Sequence, residues 1–157
     1  MAIEIERKFR VHTHLWEATV KPEGELYRQG YLLTDPLKTI RVRVAGSRGF
    51  ITIKGRTEGA SRQEFEYEIP VEDAVALLDG FAETELSKTR FKIPFEGKLW
   101  EVDVFLGSNA GLIIAEIELN SEDESFALPP WVSTEVTGDA RYYNSSLSRN
   151  PFSTWSD

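Results

Sequence analysis

Eight stretches of this chain alternate apolar and polar residues with a period of two, and that repetition constrains its fold more than any other feature. They are Ile3–Val11, Leu26–Leu33, Thr39–Ala45, Phe50–Lys54, Gln63–Ile69, Leu86–Ile93, Leu99–Phe105 and Leu112–Leu119. Alternation of this kind is the signature of strands, because successive side chains point to opposite faces. Turn residues separate the stretches, among them Asp35-Pro36, Ala45-Gly46-Ser47 and Gly107-Ser108-Asn109. Such short spacing favours antiparallel neighbours, since a parallel crossover needs about a dozen residues or more.

Helical patterns are few. Val71–Phe81 carries apolar residues at Val71, Ala74, Val75, Leu78 and Phe81, with Glu72 and Asp73 at the positive end of the helix dipole. A short helix is expected around Leu15–Thr19, ending near Pro22 and Gly24. Ser121-Glu122-Asp123-Glu124 fits a capping box for one or two turns. Asp139 suits the cap of a last helix running from Arg141 to Leu147, stopped before Pro151. Ala127–Ser133, with Pro129-Pro130-Trp131, reads as a loop. The class is α+β, mostly β. One domain is expected over residues 1–150, followed by a loose tail over 151–157.

Composition removes several kinds of chemistry. The 157 residues include no cysteine, which excludes disulfides, thiolate metal sites and a thiol nucleophile. No run of about 18 apolar residues offers a membrane-spanning helix. Met1–Lys8 is charged from the start, unlike a signal peptide, so the cytoplasm is the expected location. Net charge is −8, with twelve Lys and Arg against ten Asp and Glu in residues 1–70, and six against sixteen in residues 71–157. That balance argues against a nucleic-acid partner, which wants a basic face. No Walker A loop, GxSxG or GxGxxG occurs. His12 and His14 read as a wet strand end or loop, and Ser61 lacks a plausible histidine partner. The tryptophans and phenylalanines read as core and helix-packing residues.

The polar faces of the strands carry the chemistry. Glu4, Glu6 and Lys8 share a face, as do Arg41 and Arg43, Thr52 and Lys54, and Glu64, Glu66 and Glu68. So do Lys88, Arg90 and Lys92, then Glu101 and Asp103, then Glu116 and Glu118. A solvated sheet face normally mixes neutral polar residues with both signs of charge, yet most of these strands carry doublets of a single sign. Glu116 and Glu118 also interrupt an otherwise apolar run, where an unpaired charge is expensive. Both features make sense if the sheet closes and its charged faces line a lumen. Carboxylates without histidine or cysteine select hard ions such as Mg²⁺ or Mn²⁺. Arginine and lysine clusters suit phosphate oxygens. Together they describe a site for a metal-bound polyphosphate, where positioning and charge neutralisation do the catalytic work.

The motif Glu4-Ile5-Glu6-Arg7-Lys8 resembles the ExExK signature of the CYTH superfamily, the triphosphate tunnel metalloenzymes. Its companions follow in order: Arg41-Val42-Arg43, Thr52-Ile53-Lys54, Glu64-Phe65-Glu66, Lys88-Thr89-Arg90, Glu101-Val102-Asp103, Glu116-Ile117-Glu118 and Asp139-Ala140-Arg141-Tyr142-Tyr143-Asn144. The compact length and Arg28-Gln29-Gly30-Tyr31-Leu32 look like the small bacterial inorganic triphosphatases of that family. The resemblance implies an eight-stranded antiparallel β-barrel forming a tunnel, with a divalent metal and a triphosphate inside. It implies Glu4, Glu6 and Glu118 as principal metal ligands, with Asp103 and Glu116 as close candidates. Glu64, Glu66 and Glu101 would serve a second metal or orient water. Lys8, Arg41, Arg43, Lys54, Lys88, Arg90 and Arg141 would cradle phosphate, and Lys88 and Arg90 would assist water attack. Glu68 and Lys92 suit either the tunnel or a wet rim.

The expected activity is therefore metal-dependent hydrolysis of tripolyphosphate to diphosphate and phosphate, with Mg²⁺ or Mn²⁺ as cofactor. Thiamine triphosphate or nucleoside triphosphate hydrolysis, a class IV adenylyl cyclase and a non-catalytic polyphosphate-binding module are the alternatives. The expected partner is tripolyphosphate or another triphosphate, with no membrane and no nucleic acid, in a monomer or homodimer.

Overall fold

The computed structural model describes residues 3–35 and 37–156. Met1, Ala2, Pro36 and Asp157 lie outside the described residues, and with them the proline of the expected Asp35-Pro36 turn and the last residue of the expected tail. Among the described residues the strands are β1 (Ile3–Val11), β2 (Glu25–Asp35), β3 (Lys38–Ala45), β4 (Arg48–Gly55), β5 (Ser61–Ile69), β6 (Thr84–Phe95), β7 (Lys98–Phe105), β8 (Ile113–Glu118) and β9 (Val132–Glu135). The helices are α1 (Thr13–Glu17), α2 (Val71–Phe81) and α3 (Asn144–Arg149), with 3₁₀ turns at Gly107–Asn109, Ala140–Tyr142 and Phe152–Thr154.

β1 to β8 form an antiparallel barrel in the order β5-β4-β3-β2-β6-β7-β8-β1. Closure comes from β1 and β5, where Ile3 pairs with Gln63, Glu4 with Arg62 and Ile5 with Ser61. Beyond Ile5, β1 leaves β5, and its freed edge takes β9 instead, with Phe9 opposite Glu135 and Val11 opposite Val132. Two hairpins show why the connections are so tight. Glu96 and Gly97 both have positive φ, 47° and 77°, as a two-residue type I′ loop between β6 and β7 requires. Gly46, at φ 60°, opens the two-residue loop between β3 and β4.

Outside the barrel, apolar strand faces are covered in two places. α2 lies over β3 and β4 through Ala74 and Leu78, which pack on Val42, and Gly49 admits it: a Cβ there would meet the Ala74 Cβ at 2.8 Å. Trp16 of α1 and Trp131 pack on Trp100, Val102, Ala115 and Ile117 of β7 and β8. A third cluster sits on the lumen side. Leu86 shares its strand face with Lys88, Phe105 with Asp103, and Ile114 with Glu116, so the inward faces change from charged to apolar along the barrel. Leu147 and Tyr142 pack against this apolar end and close it.

Three expectations are corrected. The C-terminal segment is no loose tail: Phe152 and Trp155 pack against that same cluster, Trp155 edge-on to Tyr142 at 5.1 Å between ring centroids. Ser121–Glu124 forms a turn without a helix, in which the Glu124 carboxylate accepts from the Asn120 N–H and pairs with Lys98. The expected loop over Ala127–Ser133 ends in β9, because β1 has an edge to offer once it parts from β5.

Candidate active site

Strand parity brings the charged doublets together inside the barrel, around a cavity of about 600 Å³. Its walls hold Glu4, Glu6 and Lys8 from β1, Arg41 and Arg43 from β3, Lys54 from β4, and Glu64 and Glu66 from β5. Lys88, Arg90 and Lys92 come from β6, Glu101 from β7, and Glu116 and Glu118 from β8. Lys92, left open between tunnel and rim, lines the lumen. Glu68 instead pairs with Arg48 at 2.8 Å, both exposed.

The two signs are unevenly distributed. On the acidic side Glu6 lies directly opposite Glu118 in the β1–β8 register, and Glu4 is two residues away on the same face. Burial, together with Glu116 and Glu4, pushes the Glu6 carboxyl up to about 7. Burial raises Glu4 as well, with Lys54 opposing and Glu64 adding to it. Glu118 is raised by burial and by Glu4 and Glu6. Lys54 holds Glu4 at 3.1 Å and Lys8 stands 3.7 Å from Glu6. Among the described residues no three acidic side chains converge on one point. The donor chemistry nonetheless fits a hard divalent cation: neighbouring carboxylates with no nitrogen or sulfur ligand, raised first by burial and then by one another's charge.

On the basic side, Asp103 is fully buried and both its oxygens are taken. Oδ1 accepts from Arg90 Nε at 2.7 Å, and Oδ2 accepts from Arg90 Nη2 at 2.8 Å and from Lys88 Nζ at 2.7 Å. Burial alone would raise this carboxyl, but Arg90 and Lys88 hold it well below the usual carboxylate range. Asp103 is thus the counter-ion of two cations, Lys88 and Arg90. Glu116 is likewise lowered: burial is outweighed by Lys8, 3.7 Å away, and Arg90, 3.4 Å away.

The cations still exceed their counter-ions here. Burial pushes Lys88 down to about 7 despite Asp103, with Arg90 and Arg43 adding repulsion. Arg43 is pushed down to about 10 by burial and by Arg41 and Arg90. Arg43 spends its Nε on Gln29 at 3.0 Å, and its two terminal amino groups make no hydrogen bond among the described residues. Arg41 donates to Thr52 and Glu66 while its Nε is buried without a partner. Two guanidiniums lie against the Tyr27 ring, Arg43 at 4.8 Å and Arg90 at 5.2 Å from its centroid. Such a wall is short of negative charge, and a phosphate chain supplies it.

One expected site residue falls outside. Arg141 is two-thirds exposed and pairs with Asp139 at 2.9 Å. The 3₁₀ turn at Ala140–Tyr142 sends Tyr142 inward and Arg141 to the outer surface, where it lies over the Tyr142 and Trp155 rings. Asp139 caps that turn by accepting from the Arg141 N–H, and the expected helix over Arg141–Leu147 is split into the turn and α3. Conversely, Arg62, Tyr27, Tyr31, Tyr143 and Asn144 line the cavity and were not among the sequence candidates. Arg62 had a signal, since it extends the Glu64–Glu66 face by one step.

A closed antiparallel barrel with carboxylates on one wall and cations on the other defines the class: barrels whose lumen, and not their outer face, is the working surface. The chain belongs to the CYTH domain family, whose model matches residues 2–148. Membership implies a divalent metal cofactor. The chain is 48% identical to the inorganic triphosphatase of Acetivibrio thermocellus, over all of both chains. It is 42% identical to the inorganic triphosphatase of Nitrosomonas europaea, over 92% of this chain and 96% of that one. A crystal structure of an inorganic triphosphatase superposes with a TM-score of 0.65 at 37% identity, covering 94% of this chain and 95% of the other. Among the described residues no helix is long and apolar enough to cross a membrane.

Proposed function

We propose that this protein hydrolyses inorganic tripolyphosphate to diphosphate and phosphate, with Mg²⁺ or Mn²⁺ held by Glu4, Glu6 and Glu118. The supporting observation is the segregated lumen: raised carboxylates on one wall and unsatisfied guanidiniums on the other, within one cavity of about 600 Å³. The full-length likeness to relatives that carry this activity supports the same reading.

In this reading Arg41, Arg43, Lys54 and Lys8 bind the phosphate oxygens and hold the chain in line for attack by water. Lys88 spends two of its three N–H donors on Asp103 and Asn144, leaving the third for the phosphoryl group. Arg90 gives most of its donors to Asp103, Glu101 and Glu116, so it acts as a fixed positive charge near the reacting phosphorus. Glu64, Glu66 and Glu101 would orient water or serve a second ion. A bound divalent metal supplies charge neutralisation and polarises the attacked phosphoryl group. Water adds to the terminal phosphorus, the bridging P–O bond breaks, and diphosphate leaves with the electron pair. A single domain carries the activity, as a monomer or homodimer in the cytoplasm.

Substrate choice follows from the closed end. Leu147 and Tyr142 fill the apolar end of the lumen, so a nucleoside or thiamine group must stay at the open mouth, where it gains little. We expect kcat/KM for tripolyphosphate at least about tenfold above that for ATP, about 1.4 kcal/mol in transition-state stabilisation. Phosphate release from tripolyphosphate, ATP and thiamine triphosphate under one metal and pH tests this. A higher kcat/KM for either organic triphosphate overturns the inorganic assignment.

A further inference from the structure

The motif that supplied the misplaced Arg141 also ends in Asn144, and that residue reaches the centre of the site. Asn144 opens α3, and its Oδ1 accepts two hydrogen bonds: from Lys88 Nζ at 2.9 Å and from Gln29 Nε2 at 3.2 Å. Gln29 is fully buried and accepts from Arg43 Nε at 3.0 Å through its own carbonyl oxygen, while its amide also donates to Tyr31 Oη at 3.2 Å. Two neutral amides thus bridge Lys88 on β6 and Arg43 on β3, across β2. We propose that Asn144 is a positioning residue for tripolyphosphate hydrolysis. With Gln29 it sets the direction of the Lys88 ammonium relative to the Arg43 guanidinium, which makes the C-terminal helix a working part of the site.

The geometry explains why a neutral acceptor is needed. An ammonium has three donors on a rotor. Asp103 alone fixes one of them and leaves the head free to swing about that bond. A second fixed acceptor, on the other side and from another element, leaves one N–H with a single direction. Gln29 holds the Asn144 oxygen in place and also orients the Arg43 fork, so the Lys88 donor and the Arg43 donors are set together. A neutral acceptor does this without adding negative charge where phosphate must bind.

The assignment rests on the function proposed above, and the test separates the two. Asn144→Ser keeps a small polar residue at the start of α3 but withdraws the acceptor. It should lower kcat for tripolyphosphate at least about tenfold, a loss in the range that mispositioned groups produce, with KM within about threefold. Asn144→Asp retains an acceptor for both partners, so kcat should stay within about threefold of wild type, but its added negative charge beside the phosphate site should raise KM. In a Lys88→Ala background, Asn144→Ser should cost no further activity, because the residue acts through Lys88. Ser148→Ala removes the Ser148–Thr84 hydrogen bond between α3 and β6, away from the cavity, and should leave kcat within about twofold. Normal kcat in Asn144→Ser, or an undiminished loss in the Lys88→Ala background, overturns the positioning role while the proposed function stands. Absence of tripolyphosphate turnover by the wild-type protein overturns both.

Discussion

Asp103 and Glu6 are both carboxylates facing the lumen, yet neutralising them should shift stability in opposite directions. Asp103→Asn removes the charge that three short hydrogen bonds converge on, at 2.7, 2.7 and 2.8 Å, from two side chains that are themselves 1% and 8% exposed. It leaves Lys88 and Arg90 buried beside Arg43 with less compensation. Breaking a buried ion pair by removing one partner costs about 3–5 kcal/mol. For a chain of this size that is about 6–20 °C in Tm, at about 2–4 °C per kcal/mol. Glu6→Gln does the reverse in metal-free protein. The Glu6 carboxyl is raised from 4.5 to about 7, so its ionised form is disfavoured in the fold at neutral pH. Removing that charge should stabilise metal-free protein by up to about 3 kcal/mol, at 1.36 kcal/mol per pKa unit. The assay is urea unfolding in EDTA at pH 7.5, with both variants and wild type compared at equal m-value. If Asp103→Asn proves neutral or stabilising, it belongs with the metal-side carboxylates, and the assignment of Asp103 as counter-ion is wrong.

Other consequences follow from the same charges. Glu6, Glu4 and Glu118 all hold protons more tightly folded than unfolded, so metal-free protein should lose stability as pH rises from about 4.5 to about 7; a flat or rising profile of unfolding free energy across that window contradicts this. Arg141→Ala should leave tripolyphosphate kcat/KM within about twofold and stability within about 0.5 kcal/mol, as for most exposed positions; a large KM increase would return Arg141 to the phosphate cradle.

Much of the fold was legible because strand parity is a local property. Every one of the eight alternating stretches became a barrel strand, and, Glu68 apart, the charged set on each turned to the lumen together, as period two demands. What sequence left open was decided by register and by connections. Glu101 and Asp103 are equivalent in parity, yet only Asp103 lies directly opposite Arg90, and that pairing made it a counter-ion. β9 was hidden because its partner edge exists only where β1 parts from β5. Arg141, which the resemblance put in the phosphate cradle, turns outward on a single 3₁₀ turn, too short to show a repeat from which to read a direction. Gln29 and Asn144 sit in motifs that carry the family resemblance, yet as neutral amides they look the same in a wet loop as in a buried network.

In the proposed reaction, carboxylates on one wall of the lumen hold a hard divalent cation for attack on a phosphate chain bound by the other. The decisive assay is tripolyphosphate hydrolysis by protein stripped of metal, with metal content checked by elemental analysis. Turnover should be absent in EDTA and return on adding Mg²⁺ or Mn²⁺, and metal-replete Glu6→Gln should lose about 10² or more in kcat, the scale of losing one strong electrostatic stabiliser. Undiminished turnover by protein shown to be free of metal would contradict the proposed reaction.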